Sequence, residues 1–150
     1  MITQDTVKSS RSEARTAVAT RMPVYGWVGL ASMLLFQALL FATPGGFVDL
    51  YFTPLQWTGL ILFLDGWRKQ RHGTSLISDH FREFLLLCAI SVASWLVFEG
   101  YNVLLKNWRY VNLPENPLVR IPGYVWAFAT ISPGMFLIYE TLSDMLPGKD

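Results

Sequence analysis

VYGWVGLASMLLFQALLFAT, residues 24–43, runs for twenty positions without a charged side chain. At about 1.5 Å of rise per residue, a helix of this length crosses the ~30 Å hydrocarbon layer of a bilayer. The sequence that follows it, Ala42-Thr43-Pro44, is a poor match to the small-residue cleavage site of a secretory signal peptide, so a retained span is expected. Working outward, Pro44-Gly45-Gly46 ends this first span. A second apolar stretch covers Leu50 to Trp67 and is closed by Arg68, Lys69 and Arg71. Gly73 to Asp79 reads as a loop with Ser78 and Asp79 as helix-cap candidates, and a third span runs from Phe84 to Leu105. A polar connector over 106–122 leads to a fourth span, Gly123 to Leu146, in which Pro133-Gly134 predicts a mid-helix kink. Thr130 or Ser132 is the expected donor to the carbonyl freed there.

The composition agrees with this reading. Of 150 residues 52% are hydrophobic and 15% charged, against roughly 25% charged in soluble domains. A formal net charge of +1 leaves no basic excess for binding nucleic acid through its phosphates. One cysteine, Cys88, and two histidines, His72 and His80, exclude a disulfide framework and supply no multi-ligand metal centre. The expected fold is all-α and integral to the membrane. Four transmembrane helices occupy 23–150, and a polar tail over 1–22 is either an amphipathic surface helix or solvated and disordered. Small residues at Ala38/Ala42 and Ala89/Ala93 permit close helix approach.

Four crossings put both termini on one side. Lys and Arg number four in the tail, four in the loop over 68–83 and one at the C-terminus, against none in the 44–49 turn and three in the 106–122 connector. The positive-inside rule then makes both termini cytoplasmic, and the expected location is a bacterial cytoplasmic (inner) membrane. Trp108, Tyr110, Tyr124 and Trp126 form an aromatic belt at the outer interface.

An ionisable group inside a span costs about 2.5–3.5 kcal/mol on insertion scales, which makes it a functional candidate. Glu99 lies about six residues, roughly 9 Å, from the outer end of its helix. Asn102 shares its face and Trp95 borders it. The depth of Glu99 is met by Tyr124 to Phe128 of the antiparallel fourth helix. Glu140 falls near the cytoplasmic face, where an ion pair with Lys69 or Arg71, or water, accounts for it. The candidate cleft is Trp95, Glu99, Asn102, Trp108, Tyr124 and Trp126. A carboxyl group in low dielectric favours its neutral form, and a protonated acid among aromatic rings is able to protonate an alkene. The competing reading is a structural hydrogen bond between helices.

From Trp67 to Leu142, about half the chain, the stretches RHGTSL, WLVFEGYN, NWRY and FATISP resemble an uncharacterised family of bacterial multi-pass membrane proteins. That family is distantly similar to the membrane-type, heterodimeric lycopene cyclases. Those carry an acid nine residues before a Trp-x-aromatic, a Pro-Leu-Glu-Glu motif opening the next helix, a proline within it and a Tyr-Glu near its end. Here Glu99 precedes Trp108 and Tyr110, and Pro122, Pro133 and Tyr139-Glu140 follow. The resemblance implies a helical cavity for a long isoprenoid chain beside Glu99, in a chain that works with a partner. At Pro122-Gly123-Tyr124-Val125 the acid pair is missing. Two functions are therefore expected. One is a non-catalytic accessory subunit of a larger membrane complex, holding lipid, quinone or carotenoid. The other is a carotenoid cyclase-like enzyme acting with a partner chain, with Glu99 as proton donor. No metal is expected, and the partners are the bilayer and other membrane chains.

Overall fold

The computed structural model describes residues 21–111 and 113–146. The tail over 1–20, with its two readings, lies outside the described residues, as does Lys149. Every regular element among the described residues is an α-helix: α1 Val24–Ala42, the single turn α2 Phe47–Leu50, α3 Phe52–His72, α4 Phe81–Leu105 and α5 Pro117–Met145. Three of these, α1, α4 and α5, are long and apolar enough to cross a membrane. The expected second span falls short of that standard, because Asp65, Arg68, Lys69, Gln70, Arg71 and His72 fall among the last eight residues of α3. The basic cluster does not end that helix. It continues to His72 and stops at Gly73, whose φ of 74° places it in the left-handed region that glycine enters freely and whose N–H bonds the Lys69 carbonyl at 2.9 Å.

The least apolar long helix is the most enclosed. α3 packs against α1 on one side and α5 on the other, while α4 touches α5. Ile61 and Leu64 of α3 meet Leu137 of α5 and Leu76 of the 73–80 loop in the buried core. The outer surfaces of α1 and α4 are apolar and open, with Leu34, Phe41, Leu86, Leu96 and Val97 each more than half exposed. Water would not tolerate so large an uncovered patch; lipid would.

Close approach of α1 and α3 runs through glycines. A side chain on Gly66 would sit 2.7 Å from the Gly26 Cα, and one on Gly29 would sit 2.5 Å from the Gly59 carbonyl oxygen. Ala38, Ala42, Ala89 and Ala93, the small residues expected to mediate packing, are exposed. The connector is also shorter than expected. α5 starts at Pro117, a favoured first helical position, with the Asn116 side chain accepting from Leu118 N–H at 2.9 Å. Pro122 is then inside the helix, and the carbonyl it leaves unpaired belongs to the exposed Leu118, where the loss is cheap.

α5 likewise continues through Pro133. Its ladder is opened one residue earlier by a neighbour. The Ser91 hydroxyl of α4 donates to the Phe128 carbonyl at 2.5 Å and accepts from Ser132 N–H at 2.9 Å. A side chain inserted into the ladder is one of the standard causes of helix bending. Thr130 turns to the Ala127 carbonyl instead, and Ser91 serves the Phe128 carbonyl, one residue before the Ala129 carbonyl that Pro133 cannot pair. Neither Ser78 nor Asp79 caps α4, whose N-cap is His80; both are engaged inside the 73–80 loop.

Candidate functional site

At the C-terminal end of α4 the chain turns through Lys106, in the left-handed region at φ 52°, and folds back over the helix it has just left. Glu99 and Asn102, three residues apart on one face, hold it there. Asn102 uses both ends of its amide, accepting from Trp108 N–H and donating to the Trp108 carbonyl, each at 3.0 Å. The Oε1 atom of Glu99 accepts from the Tyr110 hydroxyl at 2.5 Å and from Trp108 Nε1 at 3.3 Å. Burial, and next the carboxylate it donates to, push the Tyr110 phenol above its ordinary value. One oxygen taking two donors is an acceptor. In this arrangement Glu99 ties the connector down.

From Tyr110 an aromatic file runs into the bundle. The Tyr110 and Tyr124 rings are 5.2 Å apart, Tyr124 stacks on Phe128 at 5.8 Å, and Trp95 lies 5.6 Å from Phe128. On one side of this file Glu99 shares a recess of about 290 Å³ with Tyr124, Val125 and Phe128. On the other side lies a half-open cavity of about 240 Å³ between α3, α5 and the connector. Its walls include Tyr51, Trp57, Trp95, Tyr110, Tyr124 and Phe128, and its one charged lining residue is Arg120. The Tyr51 hydroxyl closes the α3–α5 seam by donating to the Val119 carbonyl at 3.0 Å. Trp95 Nε1 is buried and has no acceptor.

The six expected cleft residues therefore divide. Trp95 and Tyr124 line the aromatic cavity, and Glu99 stands behind the Tyr110–Tyr124 pair. Asn102 and Trp108 border a shallow groove with Lys106 and Arg109 instead. Trp126 turns toward α3 and donates to Thr58 Oγ1 at 3.0 Å. The cavity wall formed by Tyr51, the N-cap of α3, and Trp57 within it is absent from the sequence reading, since nothing in their local pattern separates them from other interfacial aromatics.

The opposite end of the bundle holds a polar cluster that the sequence reading passed over. Asp65 is fully buried. It accepts from the Tyr25 hydroxyl at 2.8 Å and from the N–H groups of Leu76 and Ile77 at 2.7 and 3.1 Å, which satisfies the charge with three donors. Asp65 is the one acid between Leu50 and Trp67, so the cost argument that singled out Glu99 applies to it equally. Around it lie two ion pairs, Arg68 with Glu140 and Lys69 with Asp79, and a hydrogen bond between His72 and Asp144. Glu140 thus pairs with Arg68, one residue before the expected Lys69, while Arg71 lies over the Trp67 ring. Hydrogen bonds from Lys69 Nζ, Ser75 N–H and Ser78 hold the Asp79 carboxyl down at about 2.

Among the described residues no three His, Cys, Asp or Glu side chains converge as metal ligands. Comparison of the chain with protein-family models, with characterised proteins and with solved structures finds no match.

Proposed function

We propose that this chain is a small four-crossing subunit of a bacterial cytoplasmic membrane, non-catalytic, which holds a lipid or isoprenoid chain in the aromatic cavity between α3, α5 and the folded-back connector. The observation that carries the reading is that cavity: about 240 Å³, walled by Trp57, Trp95, Tyr124 and Phe128, and half open. Apolar, largely preformed concavities with few polar groups are the usual form of a small-molecule site.

For the fourth crossing, α3 has 21 residues, about 31 Å of helix. Its basic residues cluster at the His72 end, and the buried Asp65 has three hydrogen-bond donors. Both termini are then cytoplasmic by the Lys/Arg distribution. For the subunit role, the part of α4 away from α5 carries exposed Ala89 and Ala93 and the uncrowded Gly100, over which another helix can approach closely.

The cyclase-type reading asks Glu99 to deliver a proton. Its Oε1 is engaged by Tyr110 and Trp108 of the connector, and no second acid stands at Pro122 to Val125, which favours the binding role.

Purification in mild detergent from native membranes, followed by solvent extraction and mass spectrometry, tests the proposal. A co-purifying long-chain lipid or isoprenoid is expected, and Ala127→Phe, which fills the cavity, should remove it. A protein that emerges without such a molecule, or retains it unchanged in Ala127→Phe, overturns the reading. In a lycopene-accumulating host no ring-bearing product is expected, with or without a second homologous chain.

A further inference from the structure

The polar groups of the aromatic cavity are unequal in what they still need. The Tyr51 and Tyr110 hydroxyls already donate, to Val119 O and to Glu99. One donor is unspent and a second is poorly met. Arg120 has no acidic side chain within ion-pair distance among the described residues, and the buried Trp95 Nε1–H, close to the Tyr110 hydroxyl, makes no full hydrogen bond. No acid lines the cavity. A guanidinium beside low-dielectric walls gains most from an oxyanion, which it grips through two parallel N–H···O bonds. A plain hydrocarbon would leave the guanidinium without an anionic partner.

Depth orders these groups. Arg120 is in the first turn of α5. Phe128 and Ile131, which line the same cavity, lie eight and eleven residues further on, roughly 12 and 16 Å deeper at the α-helical rise. The charged end is therefore at headgroup level and the aromatic end in the acyl region.

From this we infer that the cavity takes an apolar chain ending in an anionic oxygen headgroup, carboxylate or phosphate, with the head on Arg120 and the chain passing Trp95 and Phe128 toward Ile131. The inference rests on the reading of the cavity as a lipid site and names the class of its ligand. At ~30 Å³ per water the cavity has room for a headgroup and the first part of a chain. The remainder leaves by the open side.

Quenching of tryptophan fluorescence by brominated chains reads occupancy as the part lost in Ala127→Phe, because Trp57 and Trp95 form the walls while the exposed Trp27 reports probe in the surrounding micelle in both proteins. The probes are 9,10-dibromostearate, its methyl ester and a dibrominated phosphatidic acid, titrated into the purified full chain in uncharged detergent at alkaline pH. The ionised acid or the phosphatidic acid should bind about tenfold or more tightly than the ester, and the tighter of the two identifies the headgroup. Arg120→Gln should bring the acid's affinity down to that of the ester, and Arg120→Lys should keep part of the difference. Arg109→Gln, in the neighbouring groove, controls for general attraction to a basic surface and should keep the full preference. Equal binding of acid and ester by the wild-type chain overturns the anionic head while leaving the cavity occupied, and it needs no variant. If none of the three probes shows quenching that Ala127→Phe removes, the lipid reading itself is overturned.

Discussion

The Tyr25 hydroxyl donates to Asp65 across 2.8 Å, joining the first turn of α1 to a fully buried carboxylate of α3 forty positions later in the chain. The same carboxylate holds the 73–80 loop through Leu76 and Ile77. One acid thus fixes two helices and a loop. Asp65→Asn presents an amide donor to groups that are themselves donors, and a loss of about 1–3 kcal/mol of stability is expected. Tyr25→Phe should cost about 1 kcal/mol, and the double variant should differ from the sum by at least about 0.5 kcal/mol. Denaturant unfolding in micelles measures all three; simple additivity would show that the two residues act separately.

Glycine contact between α1 and α3 makes a sharper prediction about size. Gly66→Ala drives a Cβ to 2.7 Å from the Gly26 backbone, which cannot step aside, and about 1–3 kcal/mol of destabilisation is expected. Gly100→Ala in α4 meets nothing within 4 Å and should be neutral or gain roughly 0.5–1 kcal/mol from helix propensity. The opposite ranking of the two melting points would refute this packing.

Ser91→Ala removes the hydroxyl set between Phe128 O and Ser132 N–H beside Pro133. Either the ladder closes on itself, at little cost, or two buried backbone groups lose their partners, at about 1–3 kcal/mol. Proline at 133 obstructs closure, so the second outcome is expected. Faster hydrogen exchange at Ser132 than at residues one turn away would mark it.

The Asp79 carboxyl is lowered from 3.8 to about 2 by Lys69, Ser75 and Ser78. A depressed folded value stabilises above the unfolded value and loses that contribution as pH falls from near 4 through about 2. Stability should therefore decline across this window in the wild type and less steeply in Lys69→Gln. Added salt should flatten the curve as well, because the pair is open to solvent. An identical acid limb in both proteins would sever the link.

Tyr110→Phe and Asn102→Ala cut the two ties on the folded-back connector at different places. Each should expose the chain near Lys106 and Arg109 to trypsin at least severalfold faster, with little change in global unfolding. Glu99→Gln keeps an acceptor for Tyr110 and should be milder than either. Cleavage rates against time settle the order.

Much of the architecture was readable residue by residue. Pro44-Gly45-Gly46 and Gly73 stop helices because one residue cannot continue them and another enters the left-handed region freely. The polar 106–116 segment interrupts two apolar runs. Helix limits shifted where tertiary contacts outvoted local signals. α5 starts six residues early because Asn116 and Pro117 form a better start than Gly123, and α3 keeps its basic turn because Arg68 and Lys69 find Glu140 and Asp79. The site was half legible. Glu99, Trp95 and Tyr124 stood out as an acid and aromatics at one depth. Tyr51, Trp57 and Arg120 did not, since only the pairing of α3 with α5 brings them to the same cavity.

By itself the sequence determined that long uncharged stretches form helices; it marked four of them as spans, and three are long and apolar enough to cross a membrane. It could not say which face of each helix meets which neighbour. In a water-soluble bundle the polar face marks the outside, but in a bilayer both the packed and the lipid-facing sides are apolar, and the rotational signal vanishes. Helix rotation and crossing were decided by the tertiary structure, through glycine contacts and buried hydrogen bonds between residues distant in the chain. That is why Asp65 meets Tyr25, and why Arg120 opens onto an aromatic cavity.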